Sequence, residues 1–308
     1  MPEIVQSNRT KFDCCVTLCA ALGGVAGFLL SLLYRRNISM EQQLRRAIRR
    51  DKLKIDYQPI LNLATRRIVG AEALVHWTDE EGNAAPPDIF ARFAQRQGFV
   101  SEITRLVLRH VLTEFGSLLR NRPDFRVSIN ITSDDLADPM FLDWLEVSPA
   151  GSGLTPKSLT IEITEGSTVR YDLAMKAIYC LHERGHNVHI DDFGTGHSSL
   201  SYLQDLSVDA IKIDRSFTQS IGTGSVTMAI LPQILAMAEA LDLGVIVERV
   251  ETEEQAEYFA SARHPVMAQG WLFGRLVAAQ EFCRGFAESE RKEPVETVEE
   301  KQAMATIV

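Results

Sequence analysis

Cysteine is scarce. Of five, Cys14, Cys15 and Cys19 crowd into one apolar run, and Cys180 and Cys283 stand far apart. That set offers neither a disulfide framework nor a zinc-ligand spacing, which points to a reducing compartment. Positive charge is in deficit too, with 32 Lys and Arg against 41 Asp and Glu and a formal net charge of -9. Such a balance excludes a protein that coats nucleic-acid polymers non-specifically. It does not exclude a nucleotide ligand, because cations held by carboxylates neutralise phosphate locally. No glycine-rich phosphate fingerprint follows the first strand candidate, which counts against a doubly wound dinucleotide fold. Hydrophobic residues are 45% of the 308, enough for a sizeable core and against wholesale disorder.

What is present begins with residues 14–34, a run without a single charged side chain and long enough to cross a hydrocarbon core. A cleaved signal peptide fits poorly, since no small-x-small cleavage site follows and Arg35-Arg36 closes the run like a stop-transfer sequence. A buried core helix is the other alternative, and it sits badly beyond an otherwise complete domain. Arg9 and Lys11 precede the run, whereas Arg35, Arg36, Arg45, Arg46, Arg49, Arg50, Lys52 and Lys54 follow it. The positive-inside rule then predicts a single-pass inner-membrane protein whose C-terminal bulk lies in the cytoplasm. The basic stretch 44–54 is either in reach of anionic headgroups or a solvated helix leading into the domain.

Beyond residue 50, short apolar, β-rich runs alternate with helical patterns. Strands are predicted at 54–61, 68–76, 126–131, 159–164, 187–191, 210–214, 244–250 and 267–273, with helical periodicity at 172–183 and 226–241 among others. Strand–helix alternation repeated about eight times suggests a (β/α)8 barrel. The division expected is 1–13 as a short N-terminal segment, 14–34 as a transmembrane helix, 35–286 as the catalytic domain and 287–308 as a flexible polar tail.

Apolar strands here end repeatedly in oxygen ligands. Glu72 interrupts the 68–75 run, Asn130 lies between Ile129 and Ile131, and Glu162 between Ile161 and Ile163. Asp191 and Asp192 follow Ile190, and Glu248 follows Val247. One acid in an apolar strand can be a satisfied core group; this many on separate strands would be a costly set of unpaired buried charges. In a parallel barrel, groups at the C-terminal strand ends converge on one mouth, and such a cluster needs cations. All-oxygen ligation selects hard ions, Mg²⁺ or Mn²⁺, and two of them suit in-line displacement at a phosphodiester. Lys212, between Ile211 and Ile213, is either a cation that stabilises developing negative charge or a simple ion-pair partner of Asp214 or another local carboxylate.

The blocks Tyr57-Gln58-Pro59-Ile60, Gly70-Ala71-Glu72-Ala73-Leu74, Ser128-Ile129-Asn130-Ile131 and Ile161-Glu162-Ile163-Thr164-Glu165 occur in order. They are followed by Asp191-Asp192-Phe193-Gly194-Thr195-Gly196, Ile211-Lys212-Ile213-Asp214-Arg215-Ser216-Phe217, Glu248-Arg249-Val250-Glu251-Thr252 and Gln269-Gly270. Together they resemble the EAL-domain cyclic-di-GMP phosphodiesterases over roughly residues 40 to 286. The resemblance implies an α/β fold, a modified TIM (β/α)8 barrel of the EAL type, which the apolar run 14–34 would precede as one N-terminal transmembrane helix. It implies hydrolysis of cyclic-di-GMP to linear pGpG with two Mg²⁺ or Mn²⁺ ions. Glu72, Asn130, Glu162 and Asp191 would hold one metal; Asp191, Asp192 and Glu248 would hold the other, with Lys212 assisting the water. Glu72 and Glu251 join Lys212 as catalytic positions, and Gln58, His76, Asp214 and Gln269 as substrate-binding ones. Glu165 would brace the loop 193–199, where Gly194 and Gly196 suit a tight turn. The resemblance also implies homodimers.

Several positions depart from the family pattern. His76 stands where arginine is usual and cannot offer a bidentate fork. Arg249 replaces a glycine beside Glu248; if that backbone has positive φ, arginine would displace Glu248, narrow the mouth, or swing harmlessly away. His197, Gly166 and Leu276 are further departures, and none removes a metal ligand. The alternative function is an impaired barrel that binds cyclic-di-GMP or a protein without hydrolysis.

Overall fold

The computed structural model describes residues 2–169, 171–194, 203 and 206–292. It divides into two units, one formed by 1–53 with 77–85 and the other by 54–76 with 86–308.

In the smaller unit a single helix, α1 (Pro2–Arg49), runs far past the apolar segment. Its stretch Val16–Tyr34 is long and apolar enough to cross a membrane, with mean hydropathy 2.2 and none of it buried by protein. Arg35 and Arg36 mark the end of the apolar run, not of the helix. The helix stops where Asp51 takes φ 54. There the Lys52 N–H donates to the Ala47 carbonyl and the Asp51 N–H to that of Ile48, the paired bonds of a left-handed C-terminal cap. Near this end Arg46 makes an ion pair with Glu80, and Gln43 donates to Glu81 in the hairpin of the same unit.

The larger unit holds the barrel. Its strands are β1 (Lys54–Asn62), β2 (Ile68–Thr78), β4 (Arg126–Ile131), β5 (Leu159–Thr164), β6 (Asn187–Phe193), β7 (Ala210–Ile213), β8 (Gly244–Val247) and β9 (Val266–Ala268). The short β3 (Ala84–Ala85) pairs with the tip of β2 at Trp77 and Thr78, in the smaller unit. The strand order β1-β9-β8-β7-β6-β5-β4-β2 closes on itself through the β1–β2 pairing, giving eight staves. Seven run parallel; β1 is antiparallel to both neighbours, β2 and β9. The reason is the connection: residues 63–67 are too few for the crossover that a parallel neighbour requires. The chain reverses in a tight turn in which Arg66 adopts φ 57 and the Thr65 N–H donates to Asn62 Oδ1.

Period-two alternation layers the barrel interior. Ile60, Ala210 and Ile246 form an apolar cluster with Val69 and Met267 against them. Two residues nearer the other end on the same strands come Gln58, Lys212, Glu248 and Gln269. An apolar floor therefore lies beneath a polar mouth. Outward-facing residues pack on the helices: the Tyr57 ring centroid is 4.3 Å from that of Phe115, and Phe282 lies 5.3 Å from Phe115.

Three boundaries differ from expectation. The predicted strand 244–250 stops at Val247, because Arg249 takes φ 51. The predicted strand 267–273 stops at Ala268, and the N–H groups of Phe273 and Gly274 both turn back to the Gly270 carbonyl. A Cβ on Gly270 would lie 2.1 Å from the Val250 carbonyl oxygen, so this close crossing admits only glycine. The helix Ala279–Lys292 runs through residues 287–292 of the expected tail. There Glu290 pairs with Arg122, and buried Phe286 lies 5.4 Å from the same guanidinium. The rest of that expected tail, 293–308, lies outside the described residues.

Candidate active site

Each parallel strand delivers at least one polar side chain to the mouth, and β6 delivers two. Glu72 comes from β2, Asn130 from β4, Glu162 from β5, Asp191 and Asp192 from β6, and Lys212 from β7, with Glu248 just past β8 and Gln269 just past β9. Lys212 is the hub. Its Nζ lies 2.7 Å from Glu162, 3.1 Å from Asp191, 3.2 Å from Glu72 and 3.3 Å from Glu248. Asn130 Nδ2 donates to Glu72 Oε1 at 2.9 Å, and Gln269 Nε2 donates to Glu72 Oε2 at 2.8 Å. Lys212 and Glu162 are fully buried, and Glu72 is nearly so.

The electrostatics are those of crowded carboxylates around too little positive charge. Burial pushes the Glu162 carboxyl well above the usual range, helped by the neighbouring Glu72 charge and opposed by Lys212. Burial would also raise Glu72, but Lys212 and the amide donors of Gln269 and Asn130 outweigh it and hold that carboxyl low. Glu248 is pushed to about 7, chiefly by burial and, against Lys212, by Asp191. Asp192 is pushed to about 6 by burial and then by Asp191. Burial by itself lowers the Lys212 ammonium; Asp191, Glu162, Glu72 and Glu248 together raise it well above its ordinary value.

A pair of hard cations fits these residues. Oxygen atoms of Glu72, Glu162 and Asp191 lie within 4.8 Å of one another, as do those of Asp191, Asp192 and Glu248. Asp191 is common to both sets. Glu162 Oε1 is buried and meets no hydrogen-bond donor among the described residues. Asn130 spends an N–H on Glu72, which leaves its amide oxygen to ligate. The donors are all oxygen, the set that Mg²⁺ and Mn²⁺ prefer.

The other residues singled out by sequence occupy varied positions. Buried Glu165 accepts the Gly194 N–H at 3.0 Å, at the start of the loop it was expected to brace. Gly194 has φ 97, and a Cβ there would lie 2.4 Å from the Phe217 ring. Residues 195–199 of that loop, Gly196 and His197 included, lie outside the described residues. Gln58 pairs with Glu72 across the β1–β2 ladder. Asp214 caps the helix Arg215–Gln219 by accepting the Ser216 N–H. Glu251 is exposed and, among the described residues, its carboxylate contacts none of the cluster. Arg249 has the positive φ that glycine tolerates better, yet Glu248 still reaches Lys212, and the arginine is exposed.

Sequence reasoning missed two groups. His189, two residues before Asp191 and on the same face, is buried, and its pKa is lowered to about 3 by burial and then by Lys212 and Arg126. A neutral imidazole therefore underlies the site; the alternation of β6 carried the signal. Asp56 on β1 is also buried, with Lys54 Nζ 2.8 Å from its Oδ2.

The chain is similar to known proteins. The model of the EAL domain matches residues 41–276. The chain is 36% identical over 268 residues to the probable cyclic di-GMP phosphodiesterase PdeB of Escherichia coli K12, covering 85% of this chain and 51% of PdeB. It is 36% identical over 266 residues to the cyclic di-GMP phosphodiesterase NbdA of Pseudomonas aeruginosa, covering 84% of this chain and 34% of NbdA. The chain thus spans about half the length of the first relative and a third of the second. Among solved structures, the PaMucR phosphodiesterase in complex with c-di-GMP superposes with TM-score 0.74 and 30% identity, covering 79% of this chain and 99% of that one. The EAL enzyme Bd1971 bound to cAMP and cyclic-di-GMP gives TM-score 0.77 and 28% identity, over 82% of this chain and 69% of that one. On its barrel, its ordered sequence blocks and these likenesses, the chain belongs to the EAL domain family.

Proposed function

We propose that this chain hydrolyses cyclic-di-GMP to linear pGpG at the carboxylate mouth, using two divalent cations, Mg²⁺ or Mn²⁺. The observation that carries this reading is the sharing of Asp191 between two triplets of carboxylate oxygens around a buried Lys212. The similarity to PdeB and NbdA, a probable and a named cyclic di-GMP phosphodiesterase, supports the choice of substrate.

Glu72, Asn130, Glu162 and Asp191 would hold one ion, and Asp191, Asp192 and Glu248 the other. Bound there, the ions supply Lewis-acid neutralisation of the phosphate oxygens and make water a competent nucleophile at neutral pH. The reaction adds water to one phosphorus. The bond to the 3′ oxygen breaks, leaving a 5′-phosphate on one nucleoside and a proton on the departing 3′ oxygen. Lys212 keeps its charge in the dry interior and faces the negative charge that develops on the phosphoryl group. Gln269 and Asn130 fix the Glu72 carboxylate through amide N–H bonds, so the ligand needs no reorganisation. Gln58, His76, Asp214 and Gln269 are assigned to the substrate, Glu251 to the catalytic periphery, and Glu165 to holding the loop after Asp192.

Residues 14–34 would anchor the chain in the bacterial inner membrane with the barrel in the cytoplasm, as the flanking arginines direct. A homodimer is the proposed assembly. The exposed side chain of Arg249 and the undisplaced Glu248 favour an active enzyme over an impaired one.

The test is turnover. The full chain in detergent, given cyclic-di-GMP and Mg²⁺ or Mn²⁺, should yield pGpG, and both Glu72→Ala and a chelator should stop it. Folded protein that binds both metals yet forms no pGpG would refute the hydrolase reading.

A further inference from the structure

The hairpin wall beside the carboxylates carries a second charged group. β1 and β2 pair in the register Gln58↔Glu72, Asp56↔Leu74 and Lys54↔His76. Alternation therefore sets Lys54, Asp56, Gln58, Glu72 and His76 on one face. Because β1 runs backwards, its first residues stand where β2 leaves the mouth. The Lys54 row lies four residues outward from Glu72, about 13 Å of strand.

Asp56 is the centre of this group. Its side chain is only 9% exposed, and Lys54 Nζ lies 2.8 Å from Oδ2. His76 Nε2 is 3.7 Å from the same oxygen, and among the described residues buried Asp56 Oδ1 has no hydrogen-bond partner. An ordinary surface ion pair keeps both ends in water. Here the carboxylate is withdrawn into the wall, while the lysine remains 68% exposed with one N–H engaged. The buried anion draws the ammonium back along the wall and removes much of its rotational freedom beforehand.

We propose that Lys54 binds the phosphate of the cyclic dinucleotide that is not being cleaved, and that Asp56 is the residue that positions it. The proposal rests on the hydrolase reading above. Cations held at the carboxylate cluster would neutralise one phosphodiester only. The second carries its own charge beside a ring of acids, where Lys212 is already shared among four carboxylates. Lys54 is a cation on the same strand face as Glu72 with donors to spare.

The experiment compares the full chain with Lys54→Met, which keeps the aliphatic stem, on two substrates in Mn²⁺: cyclic-di-GMP and bis(p-nitrophenyl) phosphate, which has a single phosphate. Lys54→Met should raise KM for the dinucleotide about five- to tenfold with kcat unchanged, the size expected for one partly exposed charged hydrogen bond. It should leave the single-phosphate diester unaffected. Lys54→Arg should restore KM, and Asp56→Asn should raise it by a smaller factor. An unchanged KM in Lys54→Met, or equal changes for both substrates, would overturn the role of Lys54. If the wild type binds cyclic-di-GMP without cleaving it, the hydrolase reading falls, and the ratio of Kd values in wild type and Lys54→Met decides the proposal instead. Absence of any binding overturns both.

Discussion

Lys212 Nζ stands 2.7 Å from Glu162 Oε2 with both side chains fully buried, and Asp191, Glu72 and Glu248 lie within 3.3 Å of the same nitrogen. One internal cation thus neutralises part of a charge that divalent ions would complete. Replacing it leaves buried carboxylates facing one another.

Lys212→Met should therefore destabilise the metal-free chain by about 3–5 kcal/mol, the usual cost of breaking a buried ion pair from one side. Mn²⁺ should return part of that loss, because the same carboxylates gain another counter-ion. Denaturant titrations with and without Mn²⁺ measure both. A loss that Mn²⁺ leaves untouched would mean that the acids around Lys212 hold no metal.

Glu165 accepts the Gly194 N–H from a fully packed position. Glu165→Ala should weaken apparent Mn²⁺ or cyclic-di-GMP affinity about tenfold, within the range for lost outer-sphere support, while the barrel stays folded. Circular dichroism checks the fold and steady-state kinetics the affinity. Unchanged kinetics would remove Glu165 from the bracing role.

Arg249 holds φ 51 next to Glu248. Arg249→Gly should raise stability by about 0.5–1 kcal/mol, since relief of a left-handed side chain exceeds the added entropy of the unfolded chain. A destabilised variant would show that the exposed guanidinium makes contacts worth more than the strain.

Burial lowers the His186 pKa from 6.5 to about 4. Between those values the unfolded chain binds the proton and the native chain does not, so this group's contribution to stability rises with pH. The contribution, about 3 kcal/mol, is complete above the unfolded pKa and is lost as pH falls through the window to the folded value. The raised carboxyls of Glu162, Glu248 and Asp192 act in the opposite sense over the same range, so the test is the difference: His186→Leu should make the slope of denaturant midpoint against pH more negative than in the wild type. An unaltered slope would place its origin in other groups.

Much of the barrel was legible because inward and outward positions differ so strongly in polarity. Strands 126–131 and 159–164 were predicted with the bounds observed. The reversed direction of β1 was readable in the five residues after Asn62, too short a link for a parallel crossover, but strand–helix alternation obscured it. The ends of β8 and β9 were not readable. They depend on a left-handed arginine and on the close crossing of Gly270 and Val250, which are long-range backbone facts. Carboxylates in apolar strands announced the mouth because isolated buried acids are so costly. Asp56 escaped notice because its neighbour in charge, Lys54, makes it look like part of an ordinary polar strand start. Only the register with His76 brings it to the same wall as Glu72.

Titrating Mn²⁺ into the full chain and following it by electron paramagnetic resonance tests the paired-metal mouth most directly. Two bound ions per chain, with magnetic coupling that Asp191→Asn abolishes, are the predicted result, because Asp191 belongs to both carboxylate sets. A single uncoupled ion, or none, or coupling indifferent to Asp191, would contradict it.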